Sequence, residues 1–280
     1  MPNYLHGKTF TKRALILTSL LLAPTLSAEI LLSGEIKQGG LVVGKTSVEN
    51  AVYLNDKKLA LSSNGDYVFG FGRDDEKQYT LVITEPDGSK EQRKFTPEKR
   101  VYQEQSITGI AKAIMKPNPE AVARSQKDNS QIRAARKISS ELTDFSNGFI
   151  APIEGIITGV YGSRRIYNGV GKRPHFGLDY AGDIGDPVKA PAAGKITLYV
   201  PDMFYSGGTM IIDHGKGISS TFLHLSDAYV KVGDDVKQGQ VVAAVGKSGR
   251  ATGPHLDWRI NWFSTRIDPA LVLKVKPINK

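Results

Sequence analysis

Two segments of the chain alternate apolar and polar residues with a period of two. In one, Phe176, Leu178 and Tyr180 interleave with His175, Gly177 and Asp179; in the other, Leu256 and Trp258 interleave with His255 and Asp257. Alternate residues of a strand point to opposite faces, so each segment is expected to bury its apolar set and present a polar pair on the other side. The four-residue spacing of His175 and Asp179 would also fit one helical turn. Pro174 and Gly177 disfavour a helix, and the aromatic residues of His255–Phe263 favour a strand.

Elsewhere the pattern predicts a mainly β chain. Over residues 29–110, the runs Ala51–Leu54, Tyr67–Phe71 and Tyr79–Ile83 are separated by the turn signals Asn55-Asp56, Asn64-Gly65 and Pro86-Asp87-Gly88. They point to a small β-sandwich, immunoglobulin-like in type. Next, Asn118 and Pro119 form a helix start, and Ile132, Ala135, Ile138, Leu142 and Phe145 recur at helical intervals up to Asn147-Gly148. The expectation is one basic helical linker over 111–147. From 148 to 280 the chain is punctuated by glycine, reads as an antiparallel β-sheet or sandwich, and is expected to fold Val230–Gly246 into successive hairpins.

Composition narrows the classes. The 280 residues contain no cysteine, which excludes a disulfide framework, thiolate metal ligands and a cysteine nucleophile. Lys8, Lys12 and Arg13 precede the apolar stretch Ala14–Leu26, followed by small residues Ser27 and Ala28. That order predicts a secretory signal peptide over 1–28, and hence export across the inner membrane without a permanent membrane span. The net charge is +9 and is uneven, with seven basic residues against two acidic ones over 111–137. Such a surface suits an anionic polymer, or is simply a solvated helix face; no nucleic-acid reader motif accompanies it.

The chemistry concentrates in the alternating segments. A hydrolytic metal site keeps three protein ligands and leaves one position for water, and His175, Asp179 and Asp257 supply suitable donors. His224 and His255 then remain to take a proton and to steady a developing oxyanion. His214, in an Ile-Asp-His-Gly turn, reads as structural. Tyr161, Arg164 and Arg165 are candidates to line a groove and meet substrate carboxylates. A biotinyl or lipoyl carrier would share the architecture, but no modifiable lysine stands in the required tight hairpin. A two-histidine phosphocarrier would need neither carboxylate.

Further matches run in order along the segment: Phe149-Ile150-Ala151-Pro152, Tyr161-Gly162-Ser163-Arg164-Arg165, Pro187-Val188, Asp213-His214-Gly215, His224-Leu225-Ser226, Gly239-Gln240 and Thr252-Gly253-Pro254-His255. With these, 148–268 resembles the lysostaphin-like, LytM-type zinc metallopeptidases that cleave peptide cross-links of bacterial cell walls. The resemblance implies a peptidoglycan endopeptidase with zinc on His175, Asp179 and position 257, and with His224 and His255 catalytic; joined to the expected leader, it predicts action in the periplasm of a Gram-negative bacterium. It departs at Asp257, where the family usually has a second histidine. Two carboxylates neutralise a dipositive ion, which predicts a weaker Lewis acid and easier admission of manganese. The rival expectation is a metal-free domain that binds the wall and activates other murein hydrolases.

Overall fold

The structure is a computed structural model that describes residues 1–2, 30–109 and 118–278. Beyond its first two residues, the expected leader 1–28 lies outside them, as do residues 110–117 of the expected linker. Among the described residues no helix is long and apolar enough to cross a membrane.

Among the described residues, eight strands precede the long helix: β1 (Leu31–Ser33), β2 (Leu41–Lys45), β3 (Ala51–Leu54), β4 (Lys57–Leu59), β5 (Asp66–Gly70), β6 (Tyr79–Thr84), β7 (Lys90–Phe95) and β8 (Glu104–Ile107). The first seven make two antiparallel sheets, ordered β1-β2-β5 and β4-β3-β6-β7. Asn55 and Gly65 turn the chain with left-handed φ of 53° and 79°, where the sequence places turn residues. Val42, Val52, Phe69, Phe71 and Leu81 are fully buried in the core. β8 leaves this group and runs parallel to a strand from the far side of the helix.

Helix α1 (Pro119–Arg136) starts as the cap predicts, with Asn118 Oδ1 accepting from Glu120 N at 2.9 Å. It stops eleven residues short of the expected end at 147. The apolar stripe continues in sequence, but Ile138 is exposed, and the chain leaves the helix to dock on a hairpin, with Ser140 O accepting from Lys216 N. Phe145 is fully buried from a separate 3-10 turn, Asp144–Asn147. The helical spacing is thus divided between α1 and a separate short turn.

Thirteen named strands follow: β9 (Ile157–Gly159), β10 (Arg164–Tyr167), β11 (Val170–Gly171), β12 (Leu178–Ala181), β13 (Pro187–Lys189), β14 (Gly194–Met203), β15 (Gly207–Gly215), β16 (Ile218–Leu225), β17 (Asp227–Ala228), β18 (Asp235–Val236), β19 (Val241–Ala244), β20 (His255–Trp262) and β21 (Thr265–Ile267). A four-residue helix, α2 (Pro269–Val272), follows. The central sheet runs β18-β14-β15-β16-β20-β12-β9, with β21 added beside β20. Val230–Gly246 does not form successive hairpins. β18 pairs with β14, whereas β19 joins β13 and β17 in a separate sheet. Left-handed turns at Gly233 and Gly239 redirect the chain between sheets, which local sequence does not reveal.

Both faces of β15 and β16 are buried. Met210, Ile212 and Phe222 lie in the core with Trp258 and Ile260. Thr221 and Gly215 meet α1 and the segment after it, through Arg136 and Leu142 respectively. His214 is fully buried, with Nδ1 2.7 Å from Ala193 O and Nε2 2.8 Å from Ser220 Oγ. The two halves of the chain are tied at Asp268. Its carboxylate caps α2 through Ala270 N at 2.9 Å and pairs with Arg100 at 2.8 Å, while its N–H donates to Gly39 O.

Asp268→Ala removes a helix cap and strands the Arg100 guanidinium, and is expected to cost about 2–4 kcal/mol in urea unfolding; a loss under about 0.5 kcal/mol refutes this role. Burial depresses the His214 imidazole from 6.5 to about 4. The unfolded chain therefore takes up that proton first, and stability present above pH 6.5 is lost as pH falls towards 4. The loss reaches about 3 kcal/mol, and His214→Gln should flatten that limb of the stability profile. Parallel limbs for the two proteins would contradict it.

Candidate metal and catalytic site

Antiparallel pairing of β12 with β20 sets Asp179 directly opposite Asp257. Their neighbours Leu178, Tyr180, Leu256 and Trp258 are buried in the core, so the alternation expected from the sequence holds at both strands. Both carboxylates stand on the other face. Asp257 is only 3% exposed. His175 is not on the strand, as its spacing from Asp179 had indicated, but in the loop before it. Its N–H donates to Ser163 O and its carbonyl accepts from Gly162 N, both at 2.8 Å, so a neighbouring turn holds it in place of a ladder.

The donor atoms of His175, Asp179 and Asp257 all lie within 4.8 Å of one another. His175 Nε2 and Asp179 Oδ1 approach to 3.1 Å, yet they are out of line for a hydrogen bond, and both are buried without one. Buried polar atoms left in this way normally have an unseen partner. Two glycines make the room. A Cβ on Gly159 would come within 2.2 Å of Asp179 Oδ2, and one on Gly177 within 2.0 Å of Asp257 Oδ1. An imidazole nitrogen and two carboxylate oxygens, facing one another in a cradle kept open by glycine, fit a divalent cation.

Arg259, two residues along β20 and so on the same face, forks onto Asp257 with Nε at 2.9 and 3.1 Å and Nη2 at 2.5 Å. Burial alone would raise the Asp257 carboxyl; the Arg259 guanidinium and His175 outweigh it and hold the group low and ionised. For His175, burial works downward and the facing Asp179 and Asp257 carboxylates outweigh it, so the imidazole is raised. The sequence reading missed Arg259, although the alternation that marked His255 and Asp257 extends to it.

His224 sits near the end of β16, where strict alternation would turn it to the core side with Phe222. A register shift opposite Gly208–Met210 and a left-handed φ of 66° re-aim it. Its ring centroid lies 4.7 Å from that of His255. Each ring has Nδ1 against a carbonyl, Ser248 O at 2.8 Å for His224 and Gly253 O at 2.9 Å for His255. Nδ1–H therefore donates, and each Nε2 is left as the acceptor. Burial lowers the His224 imidazole, with the Ser248 carbonyl opposing it, so the ring is neutral near pH 7.

The three groove candidates are placed otherwise engaged or open. Tyr161 is 2% exposed and its hydroxyl donates to Arg266 O at 2.8 Å. Arg164 binds Glu104 on β8 with Nε at 2.9 Å and Nη2 at 2.5 Å. Arg165 is exposed to solvent.

Residues 173–269 match the profile of Peptidase family M23, so the chain carries a peptidase M23 domain. The family expected from the motifs is the one found. The chain is similar to the peptidoglycan DD-endopeptidase ShyB of Vibrio cholerae, with 40% identity over 87 residues, which cover 31% of this chain and 20% of that protein. It is also similar to the DD-carboxypeptidase/endopeptidase Mpg of Neisseria meningitidis, at 36% over 105 residues, which cover 38% of this chain and 24% of that protein. The matched region thus spans about a quarter or less of the length of these curated relatives. Among solved structures, a Pseudomonas aeruginosa protein described as a candidate M23 peptidase aligns over 86% of this chain and 96% of its own, with a TM-score of 0.66 and 27% identity.

Gly177→Ala drives a methyl group into Asp257 Oδ1 and Arg259 Cγ. Metal content of the purified variant, measured by elemental analysis, is expected to fall at least tenfold while the fold persists by circular dichroism; unchanged metal content would show that the cradle does not set the site.

Proposed function

We propose that this chain is a secreted metallopeptidase that hydrolyses the peptide cross-links of peptidoglycan, working outside the inner membrane. The observation that carries it is the meeting of three candidate ligands, two of which present a buried donor atom without a hydrogen bond, in a domain matched to peptidase family M23. The names of the relatives, a DD-endopeptidase and a DD-carboxypeptidase/endopeptidase, supply the substrate class. Zinc is the ion expected, with manganese admitted by the carboxylate-rich donors.

His175, Asp179 and Asp257 would hold the ion. When bound, it supplies Lewis acidity toward the scissile carbonyl and acidifies water for attack. The chain's own part falls to the paired imidazoles. His224 is neutral and has Nδ1 tied to Ser248 O, so its Nε2 lone pair is ready to accept a proton. His255, anchored in the same way through Gly253 O, stands beside it. Between them these rings take the proton and steady the developing oxygen charge. Arg259 keeps Asp257 ionised and oriented without removing all of its lone pairs.

A second reading, a metal-free domain that activates other wall enzymes, draws on one observation: Arg259 engages both Asp257 oxygens. Metal analysis of the purified chain, joined to mass spectrometry of muropeptides after digestion of cross-linked murein, separates the two. Asp257→Ala is expected to lose metal and cleavage together, and Asp257→His to keep both. His224→Ala should retain metal while cleavage drops about 10²–10⁴-fold. No stoichiometric metal and no new products from the wild type would overturn the enzyme reading in favour of the second.

A further inference from the structure

The face of β20 that carries Asp257 continues with Arg259 and Asn261, and each has a neighbour in register. Thr221 on β16 lies opposite Arg259, and Arg266 on β21 lies opposite Asn261. Arg136, from the last turn of α1, reaches onto this face and donates through Nη2 to Thr221 Oγ1 at 2.8 Å. Arg266 donates to Asn261 Oδ1 at 3.1 Å. Arg173 comes from the other side, two residues before His175. The guanidinium carbons of Arg173 and Arg266 lie 5.7 and 5.8 Å from the Phe176 ring centroid. One aromatic ring therefore meets both guanidinium groups, and it belongs to the residue next to a candidate ligand.

These four arginines are poorly neutralised. Arg259 has Asp257. Among the described residues no carboxylate lies within the 4.0 Å of an ion pair to Arg136, Arg173 or Arg266; Arg136 and Arg266 have neutral oxygens as partners. Arg136 is 8% exposed, and its Nε is buried without a hydrogen bond. Burying a guanidinium without a counter-charge is costly, and clustering several adds repulsion. Both effects register on Arg266, brought down to about 10 by burial and then by Arg259 and Arg173. They register on Arg136 as well, again with burial first and the neighbouring arginines after it. A bound dication would add to this excess. The arrangement becomes favourable when an anion enters, and the planar fork of guanidinium matches a carboxylate.

We propose that Arg173, Arg259 and Arg266, backed by Arg136, form a carboxylate-binding subsite next to the metal donors, selecting peptides that carry a free carboxylate near the scissile bond. This rests on the peptidase reading of the same site and narrows its substrate class, because a neutral bridge peptide would leave the cluster unpaired. Arg173 is exposed and stands at the mouth, while Arg259 and Arg266 are half-buried, so the charge runs from the surface inward beside the donors. It is a different set from Arg164 and Arg165, one of which already holds Glu104.

The test uses full-length protein as purified with its metal, in a His224→Ala background that blocks turnover. The probes are a cross-linked muropeptide dimer with its carboxyls free and the same dimer with them converted to amides. Calorimetry should show the free form binding at least about tenfold more tightly, with the difference shrinking as salt rises. Arg266→Gln and Arg173→Gln should each weaken the free form about tenfold and leave the amidated form unchanged, and Arg266→Lys should recover part of the loss. The exposed Arg173 variant keeps the test valid if the half-buried one fails to fold. Equal binding of the two dimers, or variants that weaken both alike, would overturn the subsite. Charge-selective binding with no cleavage by the wild type would reject the peptidase reading and keep the subsite. Cleavage of both dimers at equal kcat/KM would keep the peptidase and reject the subsite.

Discussion

Pairing Asp179 directly across from Asp257 is the constraint on which the site depends. Two carboxylates whose oxygens lie within 4.8 Å of one another repel by about 3 kcal/mol at an effective dielectric near 20. Facing like charges across strands are unfavourable unless something positive joins them. The structure supplies part of that compensation in Arg259 and leaves His175 Nε2 and Asp179 Oδ1 without hydrogen bonds. The register thus both assembles the donors and leaves their negative charge only partly compensated.

Rigid surroundings make such a strained set affordable. The Asp257 strand is central, flanked by β16 and β12, with Trp258 and Ile260 fully buried beneath it. Gly159 and Gly177 allow neighbouring backbone to approach where any side chain would displace a carboxylate. On the same sheet, His224 takes up a left-handed backbone that a histidine seldom adopts, and the hydrogen bond from its N–H to Ser206 O helps fix it there. Irregular geometry appears where two imidazoles lie side by side.

The segments outside the matched domain are not loosely attached. β8 runs alongside β10, the Tyr102 and Tyr161 rings are 6.2 Å apart, and Arg73 Nε donates to Gly162 O at 2.9 Å, close to the turn that holds His175. α1 contributes Arg136 to the face that bears Asp257 and Arg259. Residues far in sequence from the donors therefore shape the electrostatics around them. Arg136, in a basic segment expected to face an anionic polymer or solvent, is accordingly buried at 8% exposure.

Period-two alternation was sufficient to mark the strands carrying Asp179, His255 and Asp257, since side-chain direction along a strand is a local property. The helix start at Asn118, the turns at Asn55 and Gly65, and the ligand-competent chemistry of His175 were legible for the same reason. What lay beyond local rules went unread. The helix end depended on docking of Ser140 beside Lys216, and Val230–Gly246 divided between two sheets because its partners are elsewhere in the chain. The facing of His224 required a register shift opposite β15. Convergence of Arg136, Arg173, Arg259 and Arg266 was equally hidden, because repulsion and burial among residues up to 130 positions apart exist only once strands and helix are packed. Local pattern determined which residues are candidates for the chemistry; the tertiary structure alone decided which charges face one another, since that depends on register between distant segments.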